Sequence, residues 1–388
     1  MKFNKWTVAL AAAGLVSLGS VTQAEEASSA VMTSLSKTTI SGYVDTSVSW
    51  ADGSKAPIGR GYQGAAKMDG INLDVFKLVL EKPLDESDWA AGYRVDLLVG
   101  PDAIAYNPTS TGAGTVAGGE IAIKQAYVAT RAPIGNGVDL KMGVFDTILG
   151  YEVFENGANP NYSRSFAWML EPTQHTGFLA SYQVNDLVGF SAGVANTSNA
   201  VINDRPSNFG RSNGNLSYLG SVTVVAPEST GFLSGAALYA GIVDGATGRG
   251  DDQTNLYIGG TAPTPVDGLA VGIAYDHINN ATGPGALPGA PNQADADILA
   301  LYASYQATDK MTVHGRVEYV EGDAGLYYGG DDNELLGLTA TLDYSLWENV
   351  ITRLEGRWDQ QLDDAPAAYG SSDDIFTLTL NAIYKIGR

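Results

Sequence analysis

Beyond residue 24 the chain alternates. In "SDWAAGYRVDLLVG" (87–100), Trp89, Ala91, Tyr93, Val95, Leu97 and Val99 fall on one face, and Ala90, Gly92, Arg94, Asp96 and Leu98 on the other. "KMTVHGRVEYVEG" sets Met311, Val313, Gly315, Val317 and Tyr319 against Thr312, His314, Arg316 and Glu318. "ELLGLTATLDYS" and "DIFTLTLNAIYK" repeat the pattern. A period of two is the mark of a strand with one apolar and one polar face. Sixteen such segments begin near residues 38, 70, 88, 120, 138, 175, 187, 215, 231, 253, 267, 296, 310, 334, 350 and 373. Most run 10 to 13 residues. At roughly 3.3 Å per residue and a tilt near 45°, about 11 residues climb about 25 Å, the height of a transmembrane barrel's apolar band.

The connections sort by length. Short ones are 82–87, 132–137, 185–186, 226–230, 263–268, 307–309 and 345–349. Long ones are 51–69, 100–119, 148–174, 197–214, 244–252, 280–295, 321–333 and 361–372. Short turns at one end and long loops at the other build an outer-membrane barrel; a soluble sandwich has no cause to sort them. Strands rising to a long loop end on Trp50, Tyr275, Tyr319 and Trp358, and descending strands end on Tyr182, Tyr305, Tyr344 and Tyr384, with Trp89 at that lower level. Rings concentrate at headgroup depth because one edge is apolar and the other polar. Hydrocarbon offers nothing to an open sheet edge, so Thr38–Trp50 is expected beside Asp374–Ile386. The expected class is all-β: one transmembrane antiparallel β-barrel of about 16 strands over 38–388.

The remaining segments follow from this. Lys2 and Lys5, the apolar run Trp6–Leu18 and Thr22-Gln23-Ala24 predict a signal peptide over 1–24, too short to span as a helix of about 20 apolar residues. Residues 25–37 are expected to be a periplasmic leader. Net charge is −21, which argues against nucleic acid. Cysteine is absent, while 47 glycines and 20 tyrosines suit many strands, tight turns and aromatic belts.

One stretch, "GYEVFENGANPNYSRSFAWMLEPTQHTG" (150–177), has no period and falls in the longest of the long loops. Sixteen strands leave a water-filled lumen, and a loop folded inward would narrow it. Phe154, Phe166, Trp168 and Met169 are expected to anchor the loop. Tyr151, Glu152, Glu155, Asn159, Asn161 and Arg164 form the expected constriction, its polar members and Ser163 facing solute. Lys77, Arg94, Asp96, Arg316, Glu318, Arg353 and Glu355 are placed on the lumen wall by alternation. The loops 280–295, 321–333 and 361–372 hold no Lys or Arg. Asp323, Asp331, Asp332, Asp363 and Asp364 there would make an acidic mouth favouring cations. The same carboxylates also suit binding of divalent cations that tie the loops to lipopolysaccharide. "GGDDNE" lacks EF-hand spacing, so no metal site and no cofactor is expected.

"IKQAYVAT", "LKMGVFDTILGYEVFENGANPNYSRSFAW" and "EPTQHTGFLASY" resemble the signature region of the putative β-barrel porin-2 (OmpL-like) family over about residues 120–195. The rest matches as strand rhythm. The resemblance implies an outer-membrane porin passing ions and small hydrophilic solutes. The architecture is also similar to sixteen-stranded general porins, whose third loop folds inward. That similarity implies a homotrimer in lipid and lipopolysaccharide, and an eyelet in which Glu152 and Glu155 face Lys77 and Arg94. One departure is the ending Tyr384-Lys385-Ile386-Gly387-Arg388, where such barrels usually finish on an aromatic residue.

Two other classes compete. A sugar- or peptide-specific channel would use an aromatic track, for which Tyr151, Tyr162, Phe166 and Trp168 are available. A membrane lipase needs a Ser–His pair, and the chain has three histidines, His175, His277 and His314, without a supporting motif. "GAGTVAGG" and "GPGALPG" miss G-x-G-x-x-G, and Arg249-Gly250-Asp251 reads as a loop tripeptide.

Overall fold

The computed structural model describes residues 37–387, other than 54, 59–63, 107–120, 199, 207–215, 249–251, 282–293, 324, 329–331 and 365. The expected signal peptide, most of the leader, Asp331 and Arg249–Asp251 lie outside the described residues.

Sixteen antiparallel strands close into one barrel. They are β1 (Thr39–Ala51), β2 (Gly70–Lys82), β3 (Ala91–Val99), β4 (Ile121–Ala132), β5 (Val138–Asp146), β6 (Gln174–Gln183), β7 (Val188–Ala195) and β8 (Ser217–Val225). They continue as β9 (Ala237–Ala246), β10 (Asp252–Pro263), β11 (Leu269–Ala281), β12 (Ala294–Gln306), β13 (Met311–Asp323), β14 (Asp332–Trp347), β15 (Val350–Gln361) and β16 (Asp374–Ile386). Each strand pairs with its chain neighbours, and β1 pairs with β16, setting Gly42 opposite Ile386 and Val48 opposite Leu380. No edge is left to open in hydrocarbon. No described helix is long and apolar enough to cross a membrane; α1 (Pro101–Tyr106) is a single short turn after β3.

Alternation becomes an inverted protein. Val313, Val317, Leu338, Leu354 and Leu380 stand exposed, while Arg316, Glu318, Thr341, Glu355 and Asn381 on the opposite face are buried. Apolar side chains outward and polar ones inward is the arrangement lipid demands around a polar interior. Trp50, Trp89, Tyr305, Tyr319, Tyr344 and Tyr384 are exposed near strand ends, the position that suits rings at headgroup depth.

Two boundaries differ from the sequence reading. β9 begins at Ala237 rather than near 231, because Glu228–Leu233 coils into 3-10 turns through Gly231 at φ +67°. Gly235 follows at φ +81°. Extended backbone cannot run through these left-handed positions. The connection 226–236 is therefore longer than 247–251 at the other end, and the sorting of loops by length fails there. β3 begins at Ala91, after Trp89 at φ +57°.

Gly143 holds β5 close to β4. Its φ is +134°, and a β-carbon there would lie 2.4 Å from the Ala126 carbonyl oxygen and 2.9 Å from Tyr127 Cα. Gly143→Ala is expected to strain the barrel by about 1–3 kcal/mol. The folded, heat-modifiable band on a gel should disappear at a lower temperature than in the parent, and an unchanged transition would contradict this packing.

Candidate functional site

The inner wall carries its charges in two arcs. On β2–β5, the Lys77 ammonium lies 2.8 Å from Asp96, and Arg94 clasps Asp96 at 2.8 and 3.1 Å while reaching Glu81 at 3.5 Å. Lys124 pairs with Asp146. Lys67, just before β2, bridges Asp74 at 2.7 Å and Asp102 of α1. On β13–β15, Arg316 pairs with Glu318, Arg357 with Asp359 at 2.7 Å, and Arg353 with Asp343 at 3.2 Å. Between the arcs, β6–β12 present mostly small and aromatic groups, among them Ser181, Ser191, Ser221, Tyr239, Tyr257 and Tyr302, with Asp276 of β11 buried against Glu171. Alternation puts most of the strand residues on one face; Asp74 and Lys124 reach it through bulges that shift the register, and Lys67 and Asp102 lie outside the strands.

Residues 147–173 join β5 to β6, and their polar groups bond to that wall. Arg316 Nη1 donates to Glu152 Oε1 at 2.7 Å and to the Ser163 carbonyl at 2.7 Å, and Nη2 donates to the Arg164 carbonyl at 3.2 Å. Glu355 accepts from the amides of Tyr162 and Ser163 at 2.6 and 2.9 Å. Glu318 accepts from the Phe166 amide at 2.8 Å. Arg353 donates to the carbonyls of Asn156 and Asn159. On the other arc, Lys77 holds Glu155, Lys124 lies 3.4 Å from it, and Asn156 Nδ2 donates to Asp45 at 2.5 Å. The Tyr162 hydroxyl reaches Ser47 and Asp74 at 3.0 and 3.1 Å. Asn255 of β10 caps the Leu170 carbonyl at 3.1 Å. Burial pushes the Glu155 carboxyl up, but the ammonium groups of Lys124 and Lys77 outweigh it and hold it below the ordinary value. Glu171 goes the other way: burial and neighbouring Asp276 raise it well above the usual carboxylate range.

The sequence-derived residues divide accordingly. Glu152, Glu155, Asn159, Asn161, Arg316, Glu318, Arg353 and Glu355 come together at these contacts. The polar members of the segment were expected to face solute. Glu152, Glu155, Asn161 and Ser163 bond to the wall instead, because the wall is itself polar and offers them partners, while the Asn159 side chain exchanges hydrogen bonds with the Val153 backbone. Arg164 is buried and donates to the Tyr162 and Phe154 carbonyls of its own segment. Glu152 meets Arg316 rather than Lys77, and Arg94 is taken by Asp96 and Glu81. The acids and bases of the expected eyelet are thus in contact or engaged elsewhere, not opposed across a gap. Phe154, Phe166 and Trp168 are buried anchors, with Arg357 4.7 Å over the Phe166 ring. Asp45, Asp74, Lys124, Asn156 and Arg357 were missed. Alternation along β1 and β15 points to Asp45 and Arg357, whereas Asp74 and Lys124 sit at bulges where the register shifts and the parity breaks, and Asn156 lies outside the strands. At the rim, Asp323 faces Asp332 across β13–β14 and accepts from the Asp295 amide at 2.9 Å. Asp363 accepts from the Glu334 amide at 2.8 Å, and Asp364 is exposed. Among the described residues no group of three or more His, Asp or Glu is placed to hold a metal ion.

A closed sixteen-stranded barrel, apolar outside and charged inside, defines an outer-membrane porin, a channel class. Its sequence pattern agrees over nearly the whole chain: residues 37–386 match the putative β-barrel porin-2, OmpL-like family, and the chain belongs to that family. The fold is similar to the outer-membrane channel DcaP of Acinetobacter baumannii, at 11% identity and TM-score 0.59, covering 90% of this chain and 97% of that one. It is also similar to OmpF of Salmonella typhi, in complex with daunomycin, at 12% identity and TM-score 0.57, covering 90% and 97%. An anion-selective porin from Comamonas acidovorans aligns at 13% identity and TM-score 0.58, covering 90% and 99%. No curated protein matches.

Proposed function

We propose that this porin is a passive pore for ions and small hydrophilic solutes. Residues 150–177 fold into the lumen as its constriction. The observation that supports this is the bonding of the segment to both charged arcs of the inner wall, from Glu155 on Lys77 to Ser163 on Glu355. Cations are preferred over anions. The support is the carboxylates at the rim, which concentrate counter-ions at an entrance, and a net charge of −21. In a planar bilayer, the purified protein is expected to give stepwise conductance. A potassium chloride gradient should give a zero-current potential of cation sign. Absence of steps would end the pore reading, and an anion-signed potential would end the preference.

Residues 1–24 are read as the export signal, removed before assembly. A homotrimer is part of the proposal; OmpT of Vibrio cholerae, with a similar fold at TM-score 0.56 and 13% identity, has a trimer form. A track of aromatics for a specific sugar is less supported, since Tyr162, Phe166 and Trp168 are buried. Catalysis is less supported too. The His314 ring lies 2.7 Å from the Ser304 hydroxyl, but both side chains are buried on the inner face of the wall, away from the lipid-facing exterior.

A further inference from the structure

On β2, β3, β4, β13 and β15 each inward lysine or arginine sits on a carboxylate. Lys141 of β5 does not. Among the described residues it forms no ion pair, and its ammonium lies 4.9 Å from the centre of the Tyr127 ring. The acids near it are committed elsewhere: Asp139 receives two hydrogen bonds from Arg131 at 2.6 and 2.8 Å, and Asp146 is held by Lys124. Lys141 shares the inward face of β5 with Gly143 and is half-buried. A cation already held by a carboxylate has little left for a passing anion, so the wall's anion-binding capacity is concentrated here.

A second feature lies beside it. One inward position further along β5, Asp139 stands opposite Ser181, Ser181 opposite Ser191, and Ser191 opposite Ser221. The Ser181 and Ser191 hydroxyls are 2.9 Å apart. Two residues of strand separate this row of hydroxyls from Lys141, roughly 7 Å along the wall. That is the span of a short chain carrying a carboxylate at one end and hydroxyls behind it.

We propose that Lys141, with the Ser181–Ser191–Ser221 row, is a transit subsite for small hydroxylated carboxylates. The ammonium takes the carboxylate and the serines take the hydroxyls. The inference rests on the reading of the barrel as a pore, and it refines the cation preference: the rim selects cations, while this inner point retains one class of anion. Gluconate is the probe. In single-channel recordings it is expected to reduce wild-type current saturably, whereas glucose does not. Lys141→Met should weaken that block by at least about tenfold, the loss of a charge-assisted hydrogen bond, while Lys141→Arg keeps most of it. Ser191→Ala should give a smaller loss. Equal block in wild type and Lys141→Met, or equal block by glucose, would overturn the subsite while leaving the pore intact. If the protein carries no current, the pore reading fails by itself. Line broadening of gluconate by the detergent-folded barrel then decides the subsite: broadening lost in Lys141→Met supports it, and broadening absent from wild type, or equal in both, refutes it.

Discussion

Replacing Arg316 by methionine is expected to free residues 150–177 from the β13–β15 wall, raising unit conductance and adding rapid current noise. The guanidinium is 1% exposed and touches Glu152, Glu318 and the carbonyls of Ser163 and Arg164. Methionine fills similar space but leaves two buried carboxylates without this cation. Breaking a buried pair by removing one partner costs about 3–5 kcal/mol. The cost falls on the segment rather than the barrel, because closure is made by backbone hydrogen bonds between strands. Heat-modifiable mobility should persist, and limited proteolysis should now cut within 150–177. Adding Glu152→Gln to Arg316→Met should restore part of the parent conductance, since a neutral amide is cheaper to bury unpaired. Parent conductance and parent protease resistance in Arg316→Met would mean that the segment is held by its other contacts.

The strands were legible because a barrel in lipid enforces a period of two, strand after strand. The ring of sixteen and the β1–β16 closure follow from that period and from the intolerance of hydrocarbon for a free edge. The start of β9 was not legible. "STGFLSG" alternates well enough to pass for a strand, and only the positive φ of Gly231 and Gly235 diverts it. For the site, position was legible and partners were not. The absence of a period marked 150–177 as special. Its contacts, though, join residues as far apart as Tyr162 and Glu355, or Asn156 and Asp45, and no local pattern encodes such pairs. The orientation of its polar groups also followed the wrong rule. Polar side chains were assigned to water, which holds where the alternative is an apolar core; here the alternative was a charged wall. Lys141 shows the same limit: alternation places it on the inner face, but only the geometry shows which neighbours are already engaged.

The charge pattern separates two tasks that one count of acids and bases conceals. Most inward bases are spent on neighbouring carboxylates, and several of those carboxylates, with Arg316, Arg353 and Arg357, clamp the segment. They contribute rigidity and little net field. In the proposed pore, the groups left to act on a solute are the remainder: exposed carboxylates such as Asp323, Asp332 and Asp364 at one end, and Lys141 within. Selectivity should therefore respond to these few groups far more than to the larger, neutralised network.

The inside-out assignment makes a strong prediction when one substitution is placed on opposite faces. Leu301 lies midway along β12, between Ile273 and Val317, and is 48% exposed to the exterior. Ser221 lies midway along β8, between Ser191 and Gly241, on the inner face. Leu301→Arg puts a guanidinium into hydrocarbon near mid-depth, which costs about 2–4 kcal/mol in such barrels. Folding yield into lipid vesicles should fall, and urea unfolding should shift to lower concentration by a corresponding amount. Ser221→Arg places the same group on the inner face, which the pore reading makes aqueous, so it should leave stability near the parent value and move the zero-current potential toward anions. The variant gives up the Ser221 hydroxyl of the proposed row, but Ser181, Ser191 and Lys141 then share the passage with a second cation, so gluconate should still be held longer. Equal destabilisation by the two arginines, or a Leu301→Arg barrel as stable as the parent, would mean that the exterior does not face lipid, and the pore would lose its physical basis.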